Sequence, residues 1–72
     1  MIELIKVNEN SWRVVLNNSH ADLPSIEFAA DLLEAQGVQD KEIDEAIVYI
    51  HATGHKKAHF GLNGTFLFTT EK

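Results

Sequence analysis

Branched and aromatic residues crowd two short runs near the start of the chain, residues 2–7 and 12–16, with Asn8-Glu9-Asn10-Ser11 between them. Strand-like runs joined by residues whose short side chains bond their own backbone predict a β-hairpin. Asn17-Asn18-Ser19-His20 then breaks the strand pattern. Over residues 25–36 the period changes. At 100° per residue Ile26, Ala29, Ala30 and Leu33 form one stripe and Phe28, Leu32 and Ala35 a second beside it, opposite Glu27, Asp31 and Glu34. This is a helix with Asp22 or Ser25 available as its cap, Pro24 near its first turn and Gly37 as its stop. Its broad apolar arc predicts cover on two sides.

A second helix is expected over residues 41–52, capped by Asp40, with Ile43, Ala46, Ile47 and Ile50 on its buried stripe and Gly54 beyond its end. Residues 57–62 and 65–70 are strand-like and flank Asn63-Gly64, a strong signal for a two-residue hairpin turn. Such a turn pairs Leu62 with Thr65, Gly61 with Phe66, Phe60 with Leu67 and His59 with Phe68. The expected fold is therefore α+β in the order ββααββ. A four-stranded antiparallel sheet is built from two hairpins, and both helices pack on one face. Seventy-two residues without repeat or linker make a single domain over residues 1–72.

That register puts Lys57, His59, Phe66 and Phe68 on one face of the second hairpin, while in the first Arg13 and Val15 alternate with Trp12 and Val14. Two helices can cover only one face of the sheet. An open face rich in aromatics exceeds what monomers usually leave to solvent. Hiding about 300–400 Å² of it is worth roughly 8–10 kcal/mol before association costs. The expected interaction residues are accordingly Lys57, His59, Phe66, Phe68, Arg13 and Val15.

Charge refines the choice of partner. The chain carries −5, but residues 21–50 hold eight acids against Lys41 alone, a balance of −7. The remainder holds five basic residues against three acidic ones, +2. An acidic helical half disfavours duplex DNA, whose affinity rests on phosphate neutralisation. The expected function is that of a small protein-interaction or regulatory module, homodimeric or bound to another protein. The alternative is single-stranded nucleic acid stacked on Phe66 and Phe68 beside Lys57 and His59.

Candidate chemistry is sparse, and no enzyme is expected. His51, His55 and His59 recur every four residues, but Gly54 breaks the helix that would align them as metal ligands. Asp40, Glu42, Asp44 and Glu45 spread around an exposed helix and do not converge on one reacting atom. Nor do the two helices around Gly37 suit a DNA-reading role, because the second would present those acids to phosphates. No cofactor or metal is expected. Cysteine is absent, no apolar run approaches the roughly 18–20 residues of a membrane span, and no secretory signal is evident. A cytoplasmic location follows as the expectation.

Overall fold

The computed structural model describes residues 2–61 and 63–67. They form an α+β fold in which an antiparallel sheet carries two helices on one side. Strand β1 (Ile2–Asn8) turns through Glu9 and Asn10 into β2 (Ser11–Val15), and Asn8 Oδ1 accepts the Asn10 N–H at 2.8 Å. The register shifts between Lys6 and Asn8, leaving Val7 as a bulge.

After β2 the chain departs from expectation. Leu16 N–H donates to Ser19 C=O at 2.7 Å, reversing the chain over Asn17-Asn18 and starting a further strand, β3 (His20–Leu23). Among the described residues the order is thus βββααββ rather than ββααββ, and the sheet has five strands rather than four. Four residues of mixed polarity carry little strand signal of their own. They are held by pairing with β2, in which Asp22 stands opposite Arg13 and not at a helix cap.

Ser25 instead caps α1 (Ile26–Ala35), its Oγ accepting the Phe28 N–H at 3.4 Å. This helix is covered on one side only: Ala29 and Leu33 are buried, whereas Phe28 is 57% exposed. Gly37 (φ 96°) and Val38 lead to α2 (Asp40–Thr53), whose N-cap is Gln39 rather than Asp40. Ile43, Ala46 and Ile50 face inward as their spacing requires.

Strand β4 (Lys57–Phe60) pairs with β1, and β5 (Phe66–Leu67) pairs with β4, giving the order β3-β2-β1-β4-β5. The register of the last hairpin differs by one residue from that of a two-residue turn. Phe60 pairs with Phe66 and His59 with Leu67; the expected pairings of Leu62 and Phe68 lie outside the described residues. Gly64 N–H donates to Gly61 C=O at 3.0 Å and Gly61 N–H to Thr65 C=O at 2.8 Å, while Gly64 takes φ 83°. No residue other than glycine has positive φ among the described residues, so Asn63 does not supply the left-handed conformation of a type I′ turn. A three-residue connection with glycine in the left-handed position results. It moves Phe66 to the inner face, where it joins Leu4, Trp12, Val14, Ala58 and Phe60 against the helices.

Candidate functional site

The other face of the sheet has no covering element among the described residues. Strand pairing arranges its side chains in two rows that cross the strands. One row runs Asp22, Arg13, Ile5, Lys57, and the other His20, Val15, Glu3, His59, Leu67. Ile5 and Val15 lie half-buried on adjacent strands near the middle, and Leu67 is 40% exposed at the β5 edge.

Two of the four formal charges around this aliphatic centre form an ion pair. Arg13 Nε donates to Asp22 Oδ1 at 2.6 Å and Nη2 to Oδ2 at 3.4 Å. The hydrogen bond from Arg13, reinforced by charge attraction, holds the Asp22 carboxyl below the usual carboxylate range; the same bond raises the guanidinium. Glu3 Oε2 lies 3.3 Å from His59 Nδ1. With neutral imidazoles the face sums to zero, Glu3 and Asp22 balancing Arg13 and Lys57. The helical layer behind it exposes Glu27, Asp31, Glu34, Asp40, Asp44 and Glu45.

Of the residues expected on the interaction face, Arg13, Val15, Lys57 and His59 are brought together there. Phe66 is not. It is 5% exposed, with its ring 6.1 Å from that of Phe60 and 5.4 Å from that of Tyr49. Phe68 lies outside the described residues. Among the described residues the face therefore has an aliphatic centre rimmed with charge of both signs, and Phe66 contributes no ring to it. Glu3, Ile5, His20, Asp22 and Leu67 also belong to the face. The alternation of strand β1 was the signal for Glu3 and Ile5, whereas His20 and Asp22 required recognition of β3.

The three histidines separate. His59 joins the open face, His55 Nδ1 meets the Tyr49 hydroxyl at 2.5 Å, and the His51 ring lies 6.3 Å from that of Trp12. Among the described residues no group of three His, Asp or Glu side chains is placed to hold a metal ion. No helix among them is long and apolar enough to cross a membrane.

Comparison of the chain with protein-family models, curated proteins and solved structures finds no match.

Proposed function

We propose that this chain is a non-enzymatic interaction module of the cytoplasm that self-associates face to face through its open sheet. The observation that carries this reading is electrostatic. A chain of net charge −5 has one broad face whose formal charges cancel, and that face has aliphatic residues at its middle. Two acidic molecules repel least when their neutral faces meet. An isologous contact also needs both signs on one surface, and Glu3, Asp22, Arg13 and Lys57 provide them. Ile5 and Val15 would then form a dry centre within a polar rim.

The size of the face sets the expected strength. Five strands and four residues outline roughly 24 by 14 Å. Two such faces bury less than the roughly 1,600 Å² of a standard interface. The dimer is accordingly reversible, with a dissociation constant of order 10–100 μM.

Sedimentation equilibrium from about 10 μM to about 1 mM tests this, with twice the chain mass expected at the upper end. Val15→Glu should abolish the dimer and leave the helical circular dichroism intact, while Phe28→Ser on the helical layer should not affect it. A monomer throughout the range overturns the reading, as does a dimer lost through Phe28→Ser alone. Binding of a short single-stranded oligonucleotide by the monomer, weakened by Val15→Glu, would transfer the face to nucleic acid.

A further inference from the structure

The inner face of the sheet stops being apolar at one corner. Along β1 the inward positions run Ile2, Leu4, Lys6, and Lys6 stands opposite Trp12 on β2. On its other side the Lys6 N–H donates to Lys56 C=O at 2.8 Å, one step beyond the Ile5–Lys57 pair. Two lysines therefore oppose each other across neighbouring chain segments, an arrangement that like-charge repulsion disfavours. Among the described residues neither has a carboxylate partner. Both line a cleft between β1 and the end of α2, which His51 and His55 enter from the helix side and which Val7 and Ile50 wall.

We propose that this cleft binds a phosphate group. Lys6 and Lys56 supply two ammonium charges, which a dianion neutralises together and a monoanion does not. Part of the site is already held in place. His55 N–H donates to Thr53 Oγ1 at 3.2 Å, and its ring stands edge-on to Tyr49 at 5.2 Å. When the Tyr49 hydroxyl donates to Nδ1, the ring proton sits on Nε2 and makes that atom a donor. Fixing donors before the ligand arrives reduces the ordering cost of binding.

Two features oppose an anion here, Glu9 at the rim and the negative end of the α2 dipole. The dipole amounts to about half an elementary charge. Two lysines outweigh that together with one carboxylate, before the imidazole donors are counted. The site also carries its own reporter, because Trp12 is the only tryptophan in the chain. Lys6 Nζ lies 6.0 Å from the centre of its ring, and the His51 ring lies 6.3 Å from it.

The test is titration of the full chain with inorganic phosphate and with phenyl phosphate, at ionic strength fixed by chloride, following Trp12 fluorescence and amide NMR shifts. Saturable binding is expected with a dissociation constant of order 1 mM. Tighter binding of phenyl phosphate identifies a phosphomonoester whose organic part lies on the exposed Val7; equal binding identifies free phosphate. Lys6→Gln and Lys56→Gln should each weaken binding at least about fivefold, and Lys57→Gln, on the opposite sheet face, should leave it unchanged. Lys56→Gln should melt no lower than the parent chain in chloride buffer, because it removes an opposed charge; this separates lost binding from lost folding. No saturation by about 50 mM overturns the proposal. Equal weakening by Lys57→Gln also overturns it, as the signature of unlocalised charge attraction. These outcomes are independent of the dimer, which uses the other side of the sheet.

Discussion

The backbone N–H of Phe66 donates to Glu42 Oε1 at 2.8 Å, joining the last strand to the first turn of α2. Gly61 N–H bonds to Thr65 C=O, so the next pair, Phe60–Phe66, is a non-hydrogen-bonded one, and the Phe66 N–H points away from β4. An exposed strand edge invites pairing with another chain, and here a carboxylate occupies it.

Glu42→Ala should therefore speed hydrogen exchange at the Phe66 amide and cost about 1–3 kcal/mol in urea denaturation. Glu42→Gln keeps an acceptor oxygen and should lose less. Equal losses in the two variants would show that the carboxamide cannot replace this contact.

Phe60 is fully enclosed and meets Phe66 across the pair. Phe60→Ala should cost about 3–5 kcal/mol. A chain of this length has only about 4–11 kcal/mol of stability in all. Loss of near-ultraviolet circular dichroism at room temperature is the expected readout, and Phe60→Leu should retain most of the signal. Full retention by Phe60→Ala would place the centre of the core elsewhere.

Gly37 and Gly64 both have positive φ but differ in the space around them. A Cβ on Gly37 meets nothing within 4 Å, whereas one on Gly64 would lie 3.0 Å from Gly37 O and 3.2 Å from Val38 Cα. Gly37→Ala should cost about 1–2 kcal/mol from conformation alone. Gly64→Ala adds a collision with backbone that cannot yield easily, and its melting temperature should fall further. Equal thermal shifts would contradict the close approach between the β4–β5 connection and the α1–α2 linker.

Arg13 lowers the folded-state pKa of Asp22, so the contribution of the pair is fully present above the unfolded aspartate value near 3.9. It is lost as pH falls through the depressed folded value. A carboxylate NMR titration should place the Asp22 midpoint below the ordinary range, and Arg13→Gln should return it upward. Because the pair is exposed, added salt should shrink the difference. A midpoint unmoved by Arg13→Gln would mean that the bond does not persist in solution.

Much of the fold was written locally in the chain. Asn8-Glu9-Asn10-Ser11 marked the first hairpin, the three-to-four residue spacing from Ile26 to Leu33 and from Ile43 to Ile50 gave both helices with their buried stripes, and Gly37 and Gly54 marked their ends. Strand alternation grouped Arg13 with Val15 and Lys57 with His59, and only the pairing of β1 with β4 brought the two sets onto one surface. The charge division was equally readable, since it needs only the order of the residues.

Tertiary structure decided the rest, because the interactions involved join residues far apart in the chain. Strand β3 exists by pairing with β2, and its own four residues do not demand it. The side taken by Phe66 depended on whether the loop held two residues or three. A slip of one position exchanges the faces of a strand, and what fixes the register here is the packing of Gly64 on Gly37 and of Phe66 beneath Tyr49. The opposition of Lys6 and Lys56 is likewise a product of pairing, invisible along a chain that separates them by fifty positions. Periodicity and turn chemistry act over a few residues and can be read in order; register and edge protection arise only when distant segments meet.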